Sequence, residues 1–356
     1  MSAVAYQYEQ EIHVKASQVK QAVWTVRPGT LEDAVTVTAL FNARSQAFFG
    51  QNQAEAHKVR AGWEQPDVKM ERDTRAYFDQ DGKLIAWGSV MDPGAPYIKP
   101  YAGVCTVPEC SGEAGLWDAM IGWAEQQART YIPLAPAHAR VALGAHALIR
   151  DADRWEAYER NGFERVRVMQ RMKICFDSSY TAAAPEWPDG ISLQPFDLDH
   201  DLVKVVAADQ EAFRDHWGHV ERPLEEELRQ WKEWIQCEGD DFDPALWFVA
   251  VDGSSGEVAG YAICDPHIAG DRTRGYVDGL AVRARWRKRG LGRALLHHAF
   301  AQLQKRGCTA VELDMDSENL TGASRLYERA GMHPFSQEYA YEKELRAGED
   351  LITRSL

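Results

Sequence analysis

The segment Tyr276–Leu296, YVDGLAVRARWRKRGLGRALL, decides how the rest of the chain is read. Its first seven residues read as a strand ending near Val282. A turn follows, and Arg287-Lys288-Arg289-Gly290-Leu291-Gly292 runs into an amphipathic helix that lasts to about Arg306. Glycines at a helix start let the backbone approach a ligand closely, and the free N–H groups of the first turn favour a phosphate. Arg283, Arg285, Arg287, Lys288, Arg289 and Arg293 crowd the same turn of a chain whose 40 basic and 54 acidic residues leave a net charge of −14. Such crowding is costly in self-repulsion unless an anion is present, which implies a polyphosphate ligand. The bland alternative is a solvated basic face. Neither common nucleotide fingerprint applies, because the segment has no P-loop and Leu295 stands where a G-x-G-x-x-G pattern needs its last glycine.

Outward from this segment, the chain divides into two similar halves. The stretch 177–190, DSSYTAAAPEWPDG, has two prolines, small residues and no hydrophobic period, and reads as a linker. Before it come a strand near Val23 to Arg27, a helix opened by Thr30 with Asp33 completing a capping box, and a second helical stretch. A hairpin turning at Asp81-Gly82 follows, then strand, helix, strand near Val141, helix near Arg154 and a closing strand through Met172. After the linker the same order returns. YERNGF at Tyr158 and YERAGM at Tyr327 are 169 residues apart, the turns at Asp81 and Asp252 differ by 171, and Pro28 and Pro195 by 167. Three landmarks with nearly one offset predict a duplicated mixed α/β unit, far longer than a solenoid repeat. The expected division is an extension over 1–22, a first domain over 23–176, the linker, a second domain over 191–347 and a tail over 348–356.

Composition excludes several classes. At 356 residues the chain suits two domains, and 45% hydrophobic with 26% charged residues is ordinary for a globular protein. The net negative charge repels phosphate backbones and anionic lipid surfaces, so nucleic acid and membrane are not expected partners. No apolar run approaches the ~20 residues of a membrane-spanning helix, and the first residues lack a signal-peptide core, so a cytoplasmic location is expected. The six cysteines (Cys105, Cys110, Cys175, Cys237, Cys264, Cys308) form no C-x-x-C pair and read as reduced thiols, and no metal is expected.

Arg287-x-x-Gly290-x-Gly292 after a hydrophobic strand resembles the acetyl-CoA pyrophosphate loop of the GNAT superfamily of N-acetyltransferases, whose pattern is Q/R-x-x-G-x-G/A. Val311-Glu-Leu-Asp-Met-Asp316 is similar to that family's fifth strand, and the stretch from Asn319 through Ala323 and Tyr327 to Gly331 to its following helix. The resemblance covers roughly residues 191 to 345. The first half keeps the outline without the loop: Ser111 and Glu113 stand where basic residues are expected, and a carboxylate beside a pyrophosphate loses Coulomb energy. Such a pairing of a degenerate with an active copy resembles the tandem GNAT proteins related to mycothiol synthase. The implied fold is two tandem GNAT-like domains, each a central mixed β-sheet flanked by helices.

The resemblance assigns roles to residues. Leu280, Ala281 and Val282 would hold the pantetheine and polarise the thioester carbonyl through backbone atoms. Arg287, Lys288, Arg289, Gly290, Leu291, Gly292 and Arg293 would cradle the pyrophosphate, with Asn319 beside the pantetheine chain or serving as a helix cap. Tyr327 falls where the family places the tyrosine that donates to the departing sulfur; the alternative is a packing tyrosine on an amphipathic helix. Tyr276 stands where several members carry a glutamate, and Asp278, two residues on and so on the same face, is the candidate base. Phe213, Asp215, His216 and Trp217 end a helix in the region of the acceptor pocket. The implied activity is direct acetyl transfer from acetyl-CoA to a primary amine of a small molecule in a ternary complex, with no metal, by a monomer or homodimer. Acetylation of a cysteinyl amine is one version. A protein N-terminal or lysine acetyltransferase, and a non-catalytic acyl-CoA-sensing module, are the alternatives.

Overall fold

The computed structural model describes residues 24–91, 94–177, 180–318 and 322–354. The expected extension over 1–22 and Asn319 therefore lie outside the described residues. The first half runs β1 (Thr25–Arg27), α1 (Ala34–Phe49), α2 (Ala56–Trp63), α3 (Met70–Asp73), β2 (Thr74–Phe78), β3 (Leu84–Met91), β4 (Tyr101–Thr106), α4 (Ala114–Arg129), β5 (Val141–Leu148), α5 (Ala152–Arg160) and β6 (Glu164–Cys175). The second runs β7 (Ile191–Gln194), α6 (Leu198–Phe213), α7 (Leu224–Glu238), β8 (Trp247–Asp252), β9 (Val258–Asp265), β10 (Arg274–Val282), α8 (Leu291–Lys305), β11 (Ala310–Asp316), α9 (Ala323–Arg329) and β12 (His333–Arg346). The two lists repeat the same order. Local signals act as read: Thr30 and Asp33 form the capping box, and Gly82 takes the positive φ of 77° that the hairpin turn requires.

The sequence predicts one sheet per half, whereas the strands form a single mixed sheet in the order β1-β2-β3-β4-β5-β12-β6-β11-β10-β9-β8-β7. The halves exchange their closing strands. β12 pairs antiparallel with β5, from Glu338↔Leu148 to Arg346↔Val141, and β6 pairs antiparallel with β11, from Ala310↔Cys175 to Asp316↔Met169. β6 and β12 also pair with each other, which fuses the two sheets into one. Among the described strands, β4 pairs in parallel with β5 and β10 with β11, and the other pairs are antiparallel.

Period-2 alternation splits each half's core between the two faces of the sheet. In the second half Phe248, Ala250, Ala262 and Cys264 face α8, whose Leu295, Leu296, Ala299, Phe300 and Leu303 are buried. Trp247, Val249, Val251, Tyr261 and Ile263 face the other way, against Leu202, Val205 and Val206 of α6. The first half is built alike, with Leu116, Trp117, Met120 and Ile121 of α4 on one face and Val37 and Leu40 of α1 on the other. The chain end docks on the first half's core: Ile352 is buried there, and Ala139 bridges to Glu349. Phe176, just before the expected linker, and Tyr180 and Trp187 within it pack on the second half, with Trp187 edge-on to His298 of α8. Among the described residues no helix is long and apolar enough to cross a membrane.

Candidate active site

The site is built where β10 parts from β11. Their parallel pairing covers only Arg274↔Ala310, Gly275↔Val311 and Tyr276↔Glu312. On its other edge β10 stays paired with β9 through Val282↔Gly260. From Asp278 to Val282 one edge of the strand therefore carries backbone groups without a strand partner, and Leu280 and Val282 lie on this stretch. A β-bulge between Val277 and Gly279 marks the departure point, and Asp278 is the extra residue. Ala281 is buried against the core beneath α6, while Leu280 and Val282 are half-buried on the side of α8.

After Val282 the chain turns through Trp286, which is fully buried and donates its indole N–H to Asp252 at 2.8 Å, and enters α8. Gly290 caps the helix with φ 90°, a left-handed conformation, and Lys288 just before it also has a positive φ of 61°. A side chain on Gly292 would meet Leu326 of α9 at 3.3 Å, so this glycine sets the close approach of the two helices.

The crowding of basic residues has a different cause from the one inferred from sequence. Arg283 pairs with Glu211 at 2.6 Å, Arg285 with Glu257 at 3.0 Å, and Arg293 with Glu186 at 2.6 Å. Arg287 pairs with Asp215 at 2.5 Å, and also donates to the carbonyls of Ala212 and Val282. Acidic neighbours on other elements relieve the repulsion without any anion. Among the described residues Lys288 and Arg289 have no carboxylate partner; Arg289 makes only a long bond of 3.4 Å to the Asp189 carbonyl. These two side chains, with the first-turn N–H groups of α8, are the positive charge left available to a ligand.

Tyr327 lies on α9, nearly buried in the core beneath α8. Burial pushes its hydroxyl up to about 12, and no hydrogen bond to it is found among the described residues.

A set of carboxylates surrounds β10. Asp278 is open to solvent on its own surface yet ringed by protein; this partial loss of water, with the negative charges of Glu238 and Asp314, pushes it up to about 6. Asp265, paired across the ladder with Tyr276, is pushed up to about 7 by burial and by Asp278. Asp209 of α6 is pushed up to about 6 by burial, despite accepting a short hydrogen bond from the Tyr261 hydroxyl. Asp209 and Asp265 escaped the sequence reading because they belong to no motif. Tyr276 donates to Asp314 at 2.9 Å, and Asp314 is held by both nitrogens of a fork from Arg171 at 2.8 Å. Tyr276 and Asp265 line a cavity of about 320 Å3 together with Arg171, Glu238 and His267, and with Gln53 and Lys58 from the first half.

The helix-end candidates are divided. Phe213 stacks edge-on against His216, whose pKa is lowered by burial despite nearby Asp215. Trp217 is drawn towards the first half, with Lys99, Arg167 and Arg354 lying 4.5, 5.4 and 5.5 Å from its ring.

A parallel strand pair that parts, carried twice along one chain and in the second half set beside a glycine-opened helix, defines a tandem GNAT architecture. Residues 204–332 match the acetyltransferase (GNAT) family, and this part of the chain is a GNAT domain. The structure superposes on a GCN5-related N-acetyltransferase from Sphaerobacter thermophilus with a TM-score of 0.75 and 28% identity, covering 92% of this chain and 97% of that one. It also superposes on a tandem GNAT protein from the clavulanic acid biosynthesis pathway, with a TM-score of 0.70 and 15% identity over 92% of this chain and all of that one, a likeness of fold. A mycothiol acetyltransferase of Renibacterium salmoninarum is 31% identical over 185 residues, 51% of this chain and 52% of the relative. The chain thus spans about half the length of that curated relative.

Proposed function

We propose that the chain is an acetyl-CoA-dependent N-acetyltransferase that acetylates a primary amine of a small molecule by direct transfer in a ternary complex. The division is 23–176 for a non-catalytic unit and 191–347 for the catalytic one. The observation that carries this reading is the unpaired edge of β10 beside the glycine-opened start of α8, with Lys288 and Arg289 free of carboxylates. The residues fit the cofactor: helix N–H groups and two cations suit a pyrophosphate, and a strand edge without a strand partner suits the amides of a pantetheine.

Acetyl-CoA supplies an activated acyl group. The backbone of Leu280 to Val282 holds the pantetheine chain and directs an N–H towards the carbonyl oxygen where negative charge develops. Asp278, with a pKa near 6, is ionised at neutral pH and accepts the proton of the attacking ammonium, directly or through one water. The Tyr327 hydroxyl donates to the leaving sulfur; its high pKa leaves it protonated, so positioning matters more than acidity. Arg287 acts at one remove, fixing the end of β10 to the end of α6. The cavity with Tyr276 and Asp265, roofed by Gln53 and Lys58, suits a small cationic acceptor better than a protein tail. The mycothiol acetyltransferase relative favours a thiol-bearing metabolite amine as the first acceptor to try.

Calorimetric titration with acetyl-CoA, beside an Arg289→Glu variant, tests the reading. Saturable binding at one site per chain, weakened at least tenfold in the variant, is the expected result. Amine-dependent release of CoA thiol must then follow with at least one small amine. No binding by the unaltered protein would remove the transferase reading.

A further inference from the structure

We propose that Glu55, Asp241 and His267 bind one divalent ion of the zinc class, which ties the first half of the chain to the second. The residues come from three separate elements. Glu55 immediately precedes α2, Asp241 lies in the turn after α7, and His267 sits in the loop between β9 and β10. Each of the three offers one potential ligand atom, and these atoms all lie within 4.8 Å of one another. His267 is 94% buried, and among the described residues its Nε2 and Glu55 Oε2 have no hydrogen-bond partner, while Asp241 Oδ2 has Lys58 Nζ at 3.1 Å. A buried, unpartnered imidazole nitrogen 3.5 Å from one carboxylate oxygen and close to a second carboxylate is an arrangement that a cation completes.

The geometry suits a small tetrahedral ion. His267 Nε2 and Asp241 Oδ2 are 3.5 Å apart. Two ligands at ~2.1 Å on one tetrahedral ion keep about the same separation, ~3.4 Å. One imidazole with two carboxylates selects zinc-class ions over magnesium or calcium, which take all-oxygen sets. Glu55 is also oriented: its Oε1 accepts the Gly270 N–H at 3.2 Å, which leaves Oε2 for the ion. Gly270 has φ 81°, and a Cβ there would stand 2.9 Å from the Asn52 carbonyl, so the His267 loop is pressed onto the segment carrying Glu55. Three protein ligands leave the fourth position to water.

A competing cation is present. Lys58 Nζ lies 3.1 Å from Asp241 Oδ2 and 2.8 Å from Glu238 Oε2. It neutralises Asp241 when the metal is absent, and Glu238 retains it when the metal binds. This gives the proposal a signature beyond simple ligand loss, because removing the ammonium must strengthen binding. The cysteine-based expectation of no metal misses this set, whose members are far apart in sequence.

The test uses untagged, chelator-stripped full-length protein titrated with Zn2+ by calorimetry and with Co2+ by visible absorption. The expected result is one equivalent per chain, with the intense d–d bands of tetrahedral Co2+. Glu55→Gln and His267→Gln weaken binding at least tenfold, Lys58→Gln tightens it severalfold, and His200→Gln, an exposed control, changes nothing. Glu55→Gln carries the test if His267→Gln fails to fold, because glutamine can still accept the Gly270 N–H. Absence of tetrahedral Co2+ bands, or unchanged affinity in a folded Glu55→Gln variant, overturns the proposal. Neither readout depends on acetyl-CoA or on turnover, so the result stands apart from the transferase reading.

Discussion

The two parting strand pairs of this molecule begin alike and end differently. In the first half β4 and β5 are joined only at Tyr101↔Gly144 and Ala102↔Ala145; in the second, β10 and β11 are joined only through Tyr276↔Glu312. Beyond the join the first half is plugged. Arg44 of α1 forms a buried ion pair with Asp151, at the start of α5, and also bonds Ser111 and, at 3.4 Å, Thr106 at the end of β4. Arg154 faces the same carboxylate at 3.2 Å, and both guanidinium groups lie near the Trp117 ring. In the second half, the residue 167 positions after Arg44 is Glu211, which turns to Arg283 on the loop instead. The helix starts differ as well: Glu113 stands at the start of α4, in a hollow of about 310 Å3 that also holds Asp79 and Asp81, where α8 presents Lys288 and Arg289. One architecture thus supplies a closed copy and an open one, and a handful of charged side chains makes the difference.

The plug offers the largest expected effect. Arg44→Ala leaves Asp151 buried with Arg154 alone. We expect a loss of about 3 kcal/mol in urea unfolding, the low end for breaking a buried ion pair, because one partner remains. Acetyl-CoA stoichiometry is expected to stay at one, since Glu113, Asp79 and Asp81 still face the helix start. A second equivalent on titration would mean that Arg44 alone closes the first half.

Asp278 comes next. Asp278→Asn is expected to lower kcat/KM by ~10²-fold, a usual loss for a general base. The unaltered protein should lose activity as pH falls through about 6, where Asp278 takes up its proton, and the variant should lose that limb. Stability moves oppositely. The folded-state pKa of Asp278 is raised above its unfolded value, so the folded protein binds this proton more tightly, and stability falls as pH rises from about 4 to 6. Asp278→Asn should therefore have a higher Tm than the unaltered protein at pH 7 and none of that advantage at pH 4. A flat pH–rate profile with Asp278 intact would remove it as the base.

The features legible in sequence are those that local chemistry writes into consecutive residues. The glycine-opened helix after a strand, the Thr30 capping box, the Asp81-Gly82 hairpin and the repeated element order needed no distant partner to be recognised. Strand exchange was illegible, because β6 and β12 are both long antiparallel strands, and alternation specifies which face is buried rather than which neighbour pairs. The ion partners of Arg283, Arg287 and Arg293 were missed because Glu211, Asp215 and Glu186 stand 72 to 107 residues earlier. Counting two from Tyr276 puts Asp278 on the same face of a regular strand, whereas the bulge makes it an extra residue that breaks this alternation. Trp217 was assigned to the acceptor pocket by its position at a helix end, whereas three cations, two of them from the first half, hold its ring.

The smallest expected effect makes the sharpest comparison, because both halves carry the same tyrosine in the same Tyr-Glu-Arg motif. Tyr158 is fully buried among Phe163 and Tyr341, with ring centroids 5.2 and 5.6 Å away, and its hydroxyl is pushed up to about 12 by burial. Tyr327 has nearly the same pKa for the same reason, so acidity does not distinguish them. What differs is the neighbouring space: Tyr158 belongs to the plugged half, and Tyr327 to the half with a bare strand edge. If Tyr327 donates to the leaving sulfur, Tyr327→Phe should lower kcat about tenfold with acetyl-CoA affinity unchanged, since the hydroxyl is used only as charge develops. Tyr158→Phe should leave kcat where it was. Equal effects from the two variants would mean that both tyrosines act through packing, and that leaving-group protonation falls to water.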